Sequence, residues 1–369
     1  MKLAFCTPFK PLTHPRISGD VTIADDLATF FRTRGHDVWL VPHVTTRYIW
    51  KRPQDWAQTF ATMQLVRETL HSHEKPDIWF TYHSYYKAPD ILGSLAVRAE
   101  IPYTIFAPSH AFKRKRVWKT KPGYYLNKRA LQHADHLFTN KQRDLEGLEQ
   151  LVPSSHISFV PPGIKTDDFL CDEQARHKKR IAWNASDKTI VLTVAMLREG
   201  TKSEGVEYVI KACEKLAVLD DSIFLVIAGD GTMRSSLEEK AQQALPDKHL
   251  FLGTVPSTEL PEVYSASDIF AFPGINEGLG MVYLEAQSCG LPVVAWDHDG
   301  APQVVADGTT GFITPSFDIE AFIAGIQKLA ASPELRATMG NAARAYVTQE
   351  HDIYKNYKLL EEKLHSLIY

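Results

Sequence analysis

The chain has only four cysteines, Cys6, Cys171, Cys213 and Cys289, and no two of them form a CxxC pair. Such spacing argues against a zinc site or a disulfide framework and fits a reducing compartment. Long apolar runs are missing too: nothing approaches the roughly 20 residues that a membrane-spanning helix needs. In "MKLAFCTPFKPLTHP" the first apolar run is stopped by Pro8 and Lys10, too soon for a signal peptide, so it reads as a first strand. Net charge is scarce, −3 over 369 residues, and overall charge makes no case for nucleic-acid binding. There is no repeat of fixed period and no low-complexity tract.

What is present is the balance of a packed globular protein, 44% hydrophobic and 23% charged. Twelve short apolar runs alternate with helical stretches. In the first half they are KLAFC, DVWLV (37–41), DIWFTY (77–82), YTIFA (103–107), HLFTN (136–140) and ISFVP (157–161). In the second they are TIVLTV (189–194), IFLVIA (223–228), HLFLG (249–253), DIFAFP (268–273), PVVAW (292–296) and GFIT (311–314). Unalternating runs of this length suit parallel strands buried on both faces, and strand–helix alternation predicts an α/β fold with right-handed crossovers. A dozen strands suit two sheets better than one. The Pro-Pro-Gly start and charged course of 160–180 read as the linker between them. From about residue 342 to the end the chain reads as helix.

The stretch "INEGLGMVYLEAQSCGLPVVAW" (275–296) carries Glu277 in a glycine-bearing loop and Glu285 on the helix that follows. Two nearby acids repel and lose hydration unless something positive or hydroxyl-rich meets them. The segment parses as strand (268–273), loop (274–279) and helix (about 280–289), stopped by Gly290 and Pro292. That places the loop at the carboxyl end of a parallel strand, where open α/β sheets bind ligands, with free amides at a helix start. Phosphate suits the amides and hydroxyls suit the carboxylates. On spacing alone, a solvated loop acid and an exposed helix charge remain an equal alternative.

In its wider context, "SASDIFAFPGINEGLGMVYLEAQSCGLPVVAWDHDGAPQVVADGTTGFITP", this E-x7-E pattern resembles retaining GT-B glycosyltransferases of family 4, the group 1 glycosyl transferases. The likeness runs through nearly the whole chain. It includes "SGDVTIADDLATFFRTRGHDVWLV" (18–41), "FVPPGIKTDDF" (159–169) and "VIAGDGTMRSSLE" (226–238). The resemblance implies two Rossmann-like domains facing across a cleft, with a C-terminal helix crossing back to the first. Residues 1–165 with 350–369 would form the acceptor domain, and 166–349 the nucleotide-sugar domain. It further implies that Glu285 binds ribose hydroxyls, that Glu277 binds sugar hydroxyls, and that the amides of Gly278, Leu279, Gly280, Met281 and Val282 line the sugar and diphosphate. A carboxylate accepting hydroxyl protons makes charge-assisted bonds, about twice as strong as neutral ones.

The diphosphate needs cations, and the resemblance assigns them to Arg198 and Lys202 rather than to a metal. Here the sequence departs from the family: the usual Lys-Gly pair is absent, and "TKSEG" inserts residues before Gly205. In the first half, Gly19 opens a helix after the first strand, where backbone can approach a phosphate closely. His110 follows a strand end, where the family carries a histidine facing the donor sugar; His83, at another strand end, is its competitor. His110, Glu277, Arg198 and Lys202 are thus the expected catalytic residues.

Two other readings of these residues are weaker. Asp297-His298-Asp299 has the spacing of a metal-binding DxD, but its place after the E-x7-E unit suits an acceptor-side loop. The two glutamates as a glycosidase acid/base pair would leave the phosphate-binding surroundings unused. Residues 110–131 reverse the sign of the chain, with Lys113, Arg114, Lys115, Arg116, Lys119, Lys121, Lys128 and Arg129 among Trp118, Tyr124 and Tyr125. Within it, Lys113 to Arg116 with Trp118 and Lys119 are candidates for contact with an anionic bilayer or a phosphorylated acceptor. The expectation is a metal-independent retaining transferase of glycolipid or surface-polysaccharide synthesis. A transferase acting on a small soluble acceptor, a catalytically silent sugar-nucleotide binder and an epimerase of the same fold are the alternatives. No cofactor is expected, the donor being a substrate, with a UDP-sugar favoured over GDP- or ADP-sugars. The expected location is cytoplasmic, free or peripheral on the cytoplasmic face of the inner membrane.

Overall fold

The computed structural model describes residues 1–13 and 19–369, with Gly19 and Asp20 described in their backbone alone. The chain forms two compact units, Met1–Pro161 with Tyr354–Tyr369, and Pro162–Ile353. In the first unit β1 (Lys2–Cys6), α1 (Gly19–Thr33), β2 (Asp37–Leu40), α2 (Trp56–Leu70), β3 (Ile78–Tyr82), α3 (Gly93–Arg98), β4 (Tyr103–Phe106), α4 (Lys121–His133), β5 (His136–Thr139), α5 (Gln142–Glu149) and β6 (Ile157–Phe159) follow in turn. The second contains α6 (Glu173–Ala182), β7 (Thr189–Val194), α7 (Thr201–Leu219), β8 (Ile223–Ala228), α8 (Arg234–Ala244), β9 (His249–Gly253), α9 (Leu260–Ala266) and β10 (Ile269–Ala271). It continues with α10 (Met281–Ser288), β11 (Val293–Trp296), α11 (Ala301–Val304), β12 (Gly311–Thr314), α12 (Ile319–Ala331) and α13 (Pro333–Glu350), before α14 (Ile353–Ile368) rejoins the first unit.

All twelve apolar runs are strands, and every pairing between them is parallel. The sheet orders are β2-β1-β3-β4-β5-β6 and β12-β11-β10-β7-β8-β9. Helix α1 shows why the layers pack. Val21, Ala24, Leu27, Ala28 and Phe31 fall on one helical stripe and all are buried. A few helix starts carry side-chain caps: Asp172 accepts the amides of Gln174 and Ala175 at 2.8 and 3.0 Å. Ser332 caps α13 in the same way, with Pro333 at its first position.

Two stretches differ from their sequence-based reading. The charged run after Pro162 is not all linker, because residues 173–182 form α6. Arg176 and Arg180 reach Asp268 at 2.6 and 3.0 Å, and Asp268 also accepts the Ile190 amide at 2.7 Å. The tail is two helices rather than one. The Ile164 amide donates to the His351 carbonyl at 2.9 Å and Ile353 donates back to Ile164 at 3.0 Å. That exchange takes residues 351–353 out of the helical ladder.

Candidate functional site

The second sheet reverses its order between β7 and β10, which pair through Ile269–Val191 and Phe270–Leu192. Loops leaving the carboxyl ends of these two strands therefore open side by side, at the topological switch point where such sheets bind ligands. One loop carries Arg198 and leads to Lys202 in the first turn of α7. The other carries Glu277 and leads to α10 with Glu285.

Lys202 Nζ lies 2.6 Å from Glu277 Oε2. The residue whose alignment was least regular in sequence is thus joined directly to the loop acid. The Glu277 backbone is fixed on both sides, its amide donating to Gly274 at 2.9 Å and its carbonyl accepting from Gly300 at 2.8 Å. A Cβ on Gly300 would stand 2.6 Å from the Glu277 carbonyl oxygen, so no larger residue fits there without displacing the loop. Arg198 is exposed and makes no ion pair with any described residue. Its own loop is supported by the β8–α8 turn: a Cβ on Gly229 would come within 1.8 Å of the Ala195 carbonyl. Leu197 donates to Asp230 at 3.0 Å and accepts from Met233 at 2.8 Å across that contact.

Between the two glutamates, the amides of Gly278, Leu279, Gly280, Met281 and Val282 donate to no acceptor among the described residues. They are the open first turn of α10 and the loop before it, and Gly280 at the helix start offers no side-chain cap. Glu285 looks back from α10 and is only partly open to solvent. Tyr264, fully buried on α9, donates to its Oε2 at 2.7 Å. Burial pushes the Glu285 carboxyl up to about 7; the Glu277 charge adds to the rise and the Tyr264 hydroxyl opposes it. Five unspent donors flanked by two acids, with Lys202 and Arg198 at hand, suit a ligand bearing both phosphate and hydroxyl groups.

In the first unit the order reverses between β1 and β3. The loop after β1 falls partly outside the described residues, and so do the surroundings of Gly19. His83 follows β3 with a left-handed φ of 63° and its Nδ1 2.9 Å from the Ala107 carbonyl. His110 follows β4 and is only 5% exposed, packed against the rings of Phe112 and Tyr124. Burial, reinforced by Lys128, lowers its pKa, so the ring is neutral at physiological pH. Nδ1 faces the Gly147 carbonyl at 3.2 Å and must carry the proton, which leaves Nε2 a buried acceptor without a partner.

The basic segment divides. Lys113, Lys115, Arg116 and Lys119 are exposed, and Trp118 is 78% exposed. Arg114 instead lies over the Tyr86 ring at 4.5 Å, and Tyr124 is buried against His110. No helix of the described residues is long and apolar enough to cross a membrane. Asp297, His298 and Asp299 belong to no three-ligand cluster among the described residues. Sequence reasoning missed Tyr264 and Gly300. A tyrosine at helical spacing reads as core, and the need for glycine at 300 arises only when two separate loops meet.

Residues 19–163 match the glycosyl transferase 4-like domain, and residues 175–346 match glycosyl transferases group 1. A GDP-mannose-dependent alpha-(1-6)-phosphatidylinositol monomannoside mannosyltransferase of Mycolicibacterium smegmatis is 34% identical over 52% of this chain and 52% of that one. The chain thus spans about half the length of the first curated relatives it matches. The corresponding enzyme of Corynebacterium glutamicum for the monoacylated acceptor is 26% identical over 84% of this chain and 80% of that one. Among solved structures, HepE of Anabaena in complex with UDP aligns over 99% of this chain and 100% of that one, with a TM-score of 0.77 at 18% identity, a likeness of fold alone. The expected preference for a UDP-sugar is overturned by relatives in sequence that are named for GDP-mannose. The acids, cations and amides quoted above answer hydroxyl and phosphate groups, and none of them tells one base from another. With two α/β units, two matching family domains and the paired-glutamate stretch within the second, the chain belongs to the group 1, family 4 glycosyl transferases of GT-B fold.

Proposed function

We propose that the protein is a retaining glycosyltransferase that moves mannose from GDP-mannose to a hydroxyl of a phosphoinositide-type glycolipid. The observation that carries this is the row of unspent amides from Gly278 to Val282, set between Glu277, paired to Lys202, and Glu285, anchored by Tyr264. The nucleotide-sugar relatives supply the base and the sugar.

In this reading Glu285 takes the ribose hydroxyls and the loop amides take the diphosphate. Lys202 turns from Glu277 to a phosphate oxygen, which frees Glu277 for the sugar hydroxyls. Arg198 stabilises the charge that develops as the glycosidic carbon–oxygen bond breaks, with cationic side chains and amides in place of a metal. The departing phosphate lies on the face that the acceptor hydroxyl approaches and takes up its proton, which keeps the anomeric configuration. Gly19 lets backbone close on the β-phosphate, and the neutral His110 offers Nε2 as an acceptor to a sugar hydroxyl, a positioning role. The first unit receives the acceptor, and Lys113, Lys115, Arg116, Lys119 and Trp118 bring it to a lipid surface on the cytoplasmic side.

The test is a thermal melt with GDP-mannose, ADP-glucose and free mannose, followed by transfer assays with and without a phosphoinositide acceptor. GDP-mannose alone should raise Tm by mass action. Lipid-dependent mannosyl transfer supports the full reading. Donor hydrolysis without lipid transfer would point to a soluble acceptor, and binding without turnover to a silent sugar-nucleotide binder.

A further inference from the structure

One cluster of ligand-type side chains takes no part in the donor or acceptor roles above. His36 immediately precedes β2, whereas Glu361 and His365 stand four residues apart on α14, one helical turn on the same face. The His36, Glu361 and His365 ligand atoms all lie within 4.8 Å of one another. His36 Nε2 is 2.5 Å from Glu361 Oε1, and both side chains are nearly closed to solvent, at 7% and 6% exposure. The His36 and His365 rings lie tilted at 55° to each other with centroids 5.5 Å apart.

Arg34 Nε donates to both Glu361 oxygens, at 3.1 Å to Oε2 and 3.4 Å to Oε1, and holds the carboxylate beside the histidines. The Met1 nitrogen donates to His36 Nδ1 at 3.3 Å, so in the metal-free chain His36 Nε2 carries the proton it shares with Glu361 Oε1, and a metal would have to displace that proton.

The geometry points to a divalent-metal site formed by His36, Glu361 and His365, of the chemistry that zinc fills, pinning α14 to the first unit. Two imidazoles and a carboxylate are the borderline donor set that zinc prefers over magnesium or calcium, and three protein ligands leave a fourth position for water. His365, half-buried at the rim, provides the entry side. A plain ion pair among Arg34, His36 and Glu361 would hold the helix without metal, and in that case His365 is a spectator. The two accounts part at His365.

The full chain, stripped with a chelator and dialysed, is titrated with zinc chloride against a chromogenic competitor, and its melting is followed with and without one equivalent of zinc. The wild type should take up one equivalent tightly and melt at higher temperature. His365→Ala, a change at the rim that leaves the Glu361 ion pair in place, should weaken that equivalent at least tenfold and abolish the zinc-dependent rise. Cobalt(II) should give a tetrahedral d–d spectrum in the wild type that Glu361→Gln loses. Uptake of no tight equivalent by the wild type, or equal affinity and equal melting shift in His365→Ala, would overturn the site.

Discussion

Glu285 is the residue whose chemistry is most exposed to measurement. Its carboxyl sits near 7 in the folded chain against an ordinary 4.5, so the folded state holds an extra proton between those values. Its contribution to stability is therefore complete below about 4.5 and lost as pH rises through about 7. Glu285→Gln should stabilise the ligand-free protein at pH 8 by on the order of 1–2 kcal/mol in urea unfolding and change it little at pH 5. Hydroxyl donors need the ionised carboxylate, so GDP-mannose affinity should rise between pH 6 and 8 in the wild type and lose that slope in the variant. Arg198, which makes no ion pair with any described residue, should behave differently. Arg198→Ala should lower kcat by on the order of 10²–10³-fold with little change in stability, and equal losses in kcat and Tm would count against its electrostatic role. The strand–loop–helix pattern placed Glu277, Glu285 and the glycine loop, but spacing alone left two solvated acids as an equal alternative, and only the family resemblance made them a site. Tyr264 was not legible, since nothing in its spacing distinguishes a hydroxyl that caps an acid from a ring that fills a core.

At the scale of elements, the twelve strands were readable because burial on both faces demands unbroken apolar runs, and TIVLTV is the plainest of them. Helix α6 was misread for the opposite reason: its charges look like solvated linker, yet two of them are spent on a buried acid. Asp268→Ala should therefore cost about 3–5 kcal/mol, because it strands two arginines and the Ile190 amide. Urea denaturation of the full chain measures this; a loss under 1 kcal/mol would mean that the arginines find water instead. The break after α13 carries no proline or glycine to announce it. It comes from Ile164, distant in sequence, pairing with the backbone on either side of Asp352.

For the molecule as a whole, charge is placed rather than accumulated. A net −3 coexists with an exposed basic run beside Trp118, and only the structure separates its outward members from Arg114, which lies on Tyr86. Neutralising Lys113, Lys115 and Arg116 to Gln together should weaken binding to anionic vesicles by roughly 100-fold at physiological salt, on about 1 kcal/mol per basic residue, and Arg114→Gln should change it far less. Co-sedimentation that is unchanged by the triple neutralisation would detach the segment from the membrane. The Lys202–Glu277 contact has a further consequence, for the end of the catalytic cycle. If, as proposed, the donor sugar gives Glu277 new partners while Lys202 moves to the diphosphate, the spent nucleoside diphosphate would have no sugar to offer in its turn. After transfer the unpaired acid would draw its lysine back, and the protein itself would compete with the product for the cation that holds it.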